Sequence, residues 1–174
     1  QLSGWGLHRL RLHDDGLYHC LQRPRRPDGL TACNSTISLC EFKDNGRDGV
    51  LVGAPHISDC TAIGNQRHGI NCDGGSMVLR NACRSNLGNG ISADFNGSDI
   101  EGNTLLQNGH GIDVQNTGNL IIGNRAASNT INYAFVAGNR YGPIVNIGGG
   151  GAAVSGNSAA STLTTTDAQA NYSY

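Results

Sequence analysis

The sequence predicts an all-β fold, a single-stranded parallel β-helix solenoid of about six or seven rungs, each 20–22 residues long. Three observations predict it. Aliphatic residues recur in register roughly every twenty-one residues. Glycine and asparagine recur beside them, at the places where turns belong. The composition excludes the other common ways of using so much glycine.

Gly supplies 26 of the 174 residues and Asn 19, while 14% of residues are charged and 5% aromatic. An amphipathic helical protein needs Leu, Ala, Glu and Lys on its helix faces, and Lys43 is the single lysine here. A disordered chain carries more charge and fewer Ile, Val and Leu. Collagen needs Gly at every third position. A net charge of −1 supplies no general attraction to nucleic acid or to an anionic membrane. No run reaches the roughly 18–20 apolar residues of a membrane span.

Five windows define the repeat. They open at Ile37, Ile57, Val78, Ile100 and Ile121, at offsets of 20, 21, 22 and 21 residues, with a weaker copy at Leu17. The opening aliphatic column is followed by a second apolar column at Phe42, Ala62, Cys83, Leu105 and Ala126. A third follows a glycine, at Leu30, Val50, Ile70, Ile91 and Ile112. Two residues later comes a fourth, Ala32, Val52, Cys72, Ala93, Val114 and Val136. Alternation over these last positions is the period-2 pattern of a half-buried strand.

The glycine column (Gly29, Gly49, Gly69, Gly90, Gly111) precedes that strand, where the chain needs positive φ or close backbone approach. One asparagine column reads Asn45, Asn65, Asn86, Asn108, Asn129, and another column reads Cys20, Cys40, Cys60, Asn81, Asn103, Asn124. Asn tolerates the left-handed region, and stacked Asn side chains can bond to one another along a ladder. A period near twenty-one is too short for a helical hairpin or a propeller blade, and it suits one coil of short strands with a turn at each corner.

The Asn-Gly-x-x-Gly-Val entry at 45–50 and the Ile/Val-x-x-Asn turns resemble the repeat of the pectate-lyase-like right-handed parallel β-helix family. The resemblance covers roughly residues 17–157 and implies a right-handed coil and an extracellular or cell-envelope location. It does not specify an activity, because function lies in sites grafted on a fold. Gly109-His110-Gly111 resembles a piece of the polygalacturonase pattern, but the accompanying Asn-Thr-Asp, paired Asp and Arg-Ile-Lys pieces are absent.

Residues 1–16 are expected to form an N-terminal cap or partial rung, 17–143 the repeats, and 144–174 a last irregular rung with a C-terminal cap. Trp5, Leu7, Leu10 and Leu12 are candidates to cover the first coil, and Leu163, Tyr172 and Tyr174 the last. Val154-Ser-Gly-Asn157 matches the turn once more. The chain opens on neither an initiator Met nor a secretion signal and reads as a processed form or a fragment.

Six cysteines, Cys20, Cys33, Cys40, Cys60, Cys72 and Cys83, form no zinc-type pairs. Free thiols, mostly buried, are the expected state, with disulfides between adjacent rungs as the alternative.

Chemistry, if present, belongs on the outer face of the strand entered through the glycine column. There the alternation gathers His68, Asn71, Asp73, Ser92, Asp94, His110, Asp113 and Gln115. Asp94, Asp113, His110 and Asp73 are the candidate catalytic groups, as paired acid and base on a glycosidic bond or as carboxylates and base for a lyase. His68, Asn71, Ser92 and Gln115 are candidate substrate-binding groups.

No metal site and no cofactor are expected, with Ca²⁺ entering only under the lyase reading. Short loops leave the face without walls, so the leading expectation is non-catalytic. It is an envelope or extracellular repeat module, structural or weakly carbohydrate-binding, within a larger surface protein. The alternative is a small polysaccharide lyase or glycoside hydrolase acting on an acidic polysaccharide. The expected partners are a polysaccharide or cell-surface glycan, with no nucleic acid and no membrane span.

Overall fold

The computed structural model describes residues 10–12, 18–20, 28–53, 55–148 and 166–174. Among them every regular element is a strand, and the strands build three sheets. Sheet I stacks Thr36–Ser38, His56–Ser58, Met77–Leu79, Asp99–Glu101, Leu120–Ile122 and Arg140–Tyr141. Sheet II contains Cys40–Lys43, Thr61–Ile63, Ala82–Arg84, Thr104–Leu106 and Arg125–Ala127. Sheet III stacks Leu30–Cys33, Val50–Gly53, Ile70–Cys72, Ile91–Ala93, His110–Val114 and Ile131–Phe135.

The chain passes from sheet I to II to III and starts again one layer on. The fold is therefore a right-handed parallel β-helix, as the repeat predicts. Sheets I and III hold six strands each, which is the lower end of the expected coil number.

The apolar columns stack inside. Ile57, Val78, Ile100 and Ile121 align across sheet I, Ala62, Cys83, Leu105 and Ala126 across sheet II, and Val50, Ile70, Ile91 and Ile112 across sheet III, all buried. Burying each aliphatic side chain contributes about 1.5–3 kcal/mol. That drives collapse, but it does not set where the corners fall.

The corners are set by a two-residue device. The first residue turns through the left-handed region: Asp59, Arg80, Gly102 and Gly123 between sheets I and II, and Asp44, Gly64, Ser85, Gln107 and Ser128 after sheet II. The second is the column residue. Asn86 shows what it does. Its Oδ1 accepts from the backbone N–H and the side-chain amide of Asn65, at 3.0 and 2.8 Å. Its own Nδ2 donates to Asn108 Oδ1 at 2.9 Å and to Ala62 O at 3.1 Å. The same pattern joins Asn81, Asn103 and Asn124 at the other corner. A third corner column, Ser76, Ser98, Asn119 and Asn139, joins sheet III to sheet I and was not legible as a column beforehand.

The glycine column is required by close approach rather than by positive φ. A Cβ on Gly69 would stand 2.7 Å from Gly90 O and 2.9 Å from Asn86 Nδ2.

Two column assignments are corrected. Cys20 stands two residues out of the expected column: Tyr18 lies opposite Cys40 and Cys20 opposite Phe42. Tyr18–Cys20 also pairs antiparallel with Leu10–Leu12, unlike the later strands of sheet II, whose described neighbours are all parallel. Val136 is not the last inward residue. Phe135 pairs with Val114, and Val136 is exposed, because Asn132 takes the glycine place in that coil.

At the C-terminal end the inward columns become aromatic. Ile112 is followed by Tyr133, Val114 by Phe135 and Ile121 by Tyr141, with ring centroids 5.8 and 5.5 Å apart. In sheet II the next strand is Asn171–Ser173, which lies between Arg125–Ala127 and Ile144–Asn146. Trp5, Leu7, Val154–Asn157 and Leu163 lie outside the described residues.

Two substitutions and one control test this account. Asn86→Ala, which strands the amide of Asn65 and the carbonyl of Ala62, is expected to lower unfolding free energy by about 2–4 kcal/mol. Gln66→Ala, exposed in the equivalent turn of the preceding coil, should stay within about 0.5 kcal/mol. Gly69→Ala should cost about 2 kcal/mol or more through the clash with Gly90 O. Urea unfolding of the three variants checks these values.

Candidate functional site

The outer face of sheet III carries three columns. Before the glycines stand Asp28, Asp48, His68, Asn89 and His110. At the strand centres stand Thr31, Leu51, Asn71, Ser92 and Asp113, and beyond them Asp73, Asp94 and Gln115. Strand alternation aims these side chains outward, as the sequence implies. They are nevertheless not free. Asn71, Asn89, Ser92 and Asp113 are buried, and the Asp48 side chain is 0% exposed.

Two hydrogen-bonded groups account for this. One is centred on Asp113. Its Oδ2 accepts from Asn89 Nδ2 at 2.9 Å and its Oδ1 from Gln115 Nε2, while His110 Nδ1 lies 3.5 Å from Oδ2. Asn89 also approaches Ser92 Oγ at 3.4 Å, and Ser92 donates to Asp94 Oδ1 at 3.2 Å. The other is centred on Asp48, which accepts from the His68 backbone N–H at 3.0 Å and from Asn71 Nδ2 at 3.3 Å. Arg67 Nη1 and Arg47 Nε stand 3.5 and 3.8 Å from its Oδ2. Four or more neighbours around one carboxylate replace the water it lost on burial.

Asn89, Asp113, Gln115, Ser92 and Asp94 are thus brought into one bonded group, and His110 stands beside it without a hydrogen bond of its own at Nδ1. Asn71 is bound instead to Asp48. Asp73 and Asp94 are exposed at the rim, and the Asp73 carboxylate lies near Gly53. Asp48 and Asn89, which the sequence places just before the column glycines, are central here although they are not among the candidate site residues. Their membership of the column before glycine was the available signal.

His68 links the two groups. Its Nδ1 accepts from the Asn89 backbone N–H at 3.0 Å, so the neutral ring carries its proton on Nε2. Burial holds its pKa below the ordinary 6.5, and nearby Arg67 acts in the same direction against Asp48, Asp94 and Asp113.

A stack of three parallel sheets with a polar, self-bonded outer face and short corners defines a right-handed parallel β-helix repeat protein. Residues 29–159 match the family described as periplasmic copper-binding protein (NosD), and the chain belongs to that family. The family is periplasmic, in agreement with the expected extracellular or cell-envelope location. No curated protein and no solved structure matches the chain. No helix among the described residues is long and apolar enough to cross a membrane.

The family description names copper, and the side chains described do not fit a resident copper ion. Copper sites gather several imidazole or sulfur donors. Among the described residues no group of three or more His, Cys, Asp and Glu side chains is gathered to hold a metal ion. The unpartnered buried Nδ1 of His110 comes closest, but its neighbour Asp113 already receives two amide N–H groups.

The pH dependence of stability follows from His68. Its folded pKa is depressed, so the unfolded chain takes the proton first as pH falls. Stability should therefore hold above about pH 6.5 and decline below it, as protonation breaks the bond from Asn89. His68→Gln should decline less than wild type between about pH 7 and 5.5. Urea melts across that range check the difference.

Proposed function

We propose that the chain is a non-catalytic repeat module of the cell envelope, part of a larger surface protein, that is structural or binds carbohydrate weakly along the outer face of sheet III. The engagement of Asp113 carries this reading. A general acid or base needs a carboxylate open to the substrate proton, and both Asp113 oxygens are occupied by Asn89 and Gln115. Among the described residues the short corners supply no walls to exclude water or hold a reacting sugar. The rim still offers Asp73, Asp94 and Gln115, polar groups repeated at coil spacing along which a chain-like glycan can lie.

The second reading is a polysaccharide lyase or glycoside hydrolase using Asp94, Asp113, His110 and Asp73. The 3.5 Å approach of His110 to Asp113 is the observation that favours it.

Incubation with pectate, alginate and neutral polysaccharides, with and without Ca²⁺, separates the two readings. The expected outcome is no new reducing ends and no unsaturated products. Binding should be seen only as amide shifts at Asp94 and Gln115 in NMR titrations, with Kd about 1 mM or weaker. Turnover that is lost in Asp113→Ala would establish the enzyme. Absence of both turnover and shifts would leave a purely structural module.

A further inference from the structure

Among the described residues five cysteines are free thiols. Cys33 is exposed, and Cys72 and Cys83 are sealed in the core. Cys40 and Cys60 differ from these. They occupy successive places in the corner column between sheets I and II that Asn81, Asn103, Asn124 and Asn171 fill further along.

At the asparagine positions the amide reaches back to a carbonyl of the preceding coil, as Asn81 Nδ2 does to Ile57 O at 3.1 Å. Cys60 copies this placement with sulfur. Its Sγ lies 3.8 Å from Ile37 O and 3.2 Å from Ser58 O. Cys40 Sγ lies 3.2 Å from Ser38 O, the equivalent atom one coil earlier. A thiol has no second donor with which to continue the amide chain. The chain of side-chain amides therefore stops at Asn81, and Cys40 and Cys60 lie side by side in successive coils, each one residue before the paired Glu41 and Thr61.

Adjacent coils are about 4.8 Å apart, within the Cα separations of about 4.4–6.8 Å that a disulfide spans. Cys40 is partly exposed, so a reagent reaches it, while Cys60 is buried behind it.

We propose that Cys40 and Cys60 form a dithiol site that closes into a disulfide between successive coils by exchange with a disulfide-bearing oxidant of the cell envelope. The attack starts at Cys40, whose pKa is lowered to about 7 by the Cys60 thiol. Its thiolate attacks one sulfur of the oxidant, a mixed disulfide forms, and the oxidant's other sulfur leaves as a thiolate. Cys60 then loses its proton to solvent and attacks Cys40 Sγ, expelling the second oxidant thiolate. The two protein thiols give up two electrons and two protons, and the oxidant disulfide is reduced to two thiols. The pKa of Cys60 is raised chiefly by its bond to Cys40, and the mixed disulfide removes the Cys40 charge before Cys60 must ionise. This site is independent of the carbohydrate face on sheet III.

The test uses the full chain, reduced, then treated with oxidised glutathione at neutral pH. Remaining thiols are blocked with maleimide and the protein is digested with trypsin without reductant. The expected product is peptide 26–43, with Cys33 and Cys40, joined to peptide 48–67, with Cys60. The link should disappear on reduction, persist in Cys33→Ser and be absent in Cys40→Ser. Oxidised wild type should also melt about 5 °C or more above the reduced protein, a shift that Cys40→Ser lacks. The wild-type peptide map stands even if a variant folds poorly. Peptides that stay separate, carrying glutathione or maleimide on Cys40, would overturn the proposal, as would a link that is lost in Cys33→Ser.

Discussion

The hydrogen-bonded chain of carboxamides at the corners is the interaction on which the rest of this solenoid depends. Each turn takes backbone groups out of the sheet ladders and leaves them inside the stack. A buried N–H or C=O without a partner costs about 1–3 kcal/mol, and such a cost would recur in every coil. One asparagine resolves it by using all its hydrogen-bonding capacity. Its oxygen receives two N–H groups from one neighbouring coil, and its nitrogen serves the other neighbour and a carbonyl, as Asn65, Asn86 and Asn108 do. Because the bonds run along the stack in one direction, each polarises the next. A coil with one residue more or fewer at the corner would miss the amide on either side. The 20–22-residue period is therefore held by polar chemistry, while the aliphatic columns supply most of the driving force.

Departures from asparagine in these columns follow the same requirement. Ser98 stands where a shorter acceptor suffices, its Oγ receiving the Ser76 backbone N–H at 3.3 Å, and Ser76 donates its hydroxyl to Asp73 O. The C-terminal segment makes the point more strongly. After Tyr141 the chain reaches the corner with Gly142-Pro143, which has no carboxamide to offer. Asn171, from far along the chain, fills the position. Its Oδ1 accepts from the Asn124 backbone and side chain at 3.0 and 3.1 Å, and its Nδ2 donates to Ile121 O and Gly142 O at 3.1 Å. Spatial order in sheet II therefore departs from chain order. The Tyr133 hydroxyl, 2.8 Å from both Asn124 O and Tyr172 O, ties the aromatic last layer to the same place.

These constraints explain how much of the molecule was legible in its sequence. The columns from Ile37 to Ala126 could be aligned by eye because every coil repeats the same corner. Cys20 departs from its expected column beside the antiparallel Leu10–Leu12 strand, where the pairing differs from that of the later coils. Val136 was misplaced where Asn132 substitutes for the column glycine. On the candidate face, alternation gave the direction of His68, Asn71, Ser92, His110 and Asp113 but not their burial. Burial there comes from neighbours in the adjacent coil, such as Asn89 over Asp113 and Arg67 over Asp48, and a one-coil pattern does not contain them.

The same neighbours decide what the face can do. A polar row on an open sheet is adaptable when its side chains point into water. Here Asp48 and Asp113 are held by amide, guanidinium and backbone donors, and the neutral His68 bridges their two groups through Asn89. Reorienting Asp113 toward a substrate would strand Asn89 and Gln115, at a cost comparable to the gain from one new charge-assisted bond. Binding energy from a glycan lying on an unwalled surface would be spent on that rearrangement before any of it could lower a barrier. The rim carboxylates Asp73 and Asp94 escape this limit because they are exposed. Water replaces fixed donors around them, so they can turn toward a new partner without stranding a buried amide.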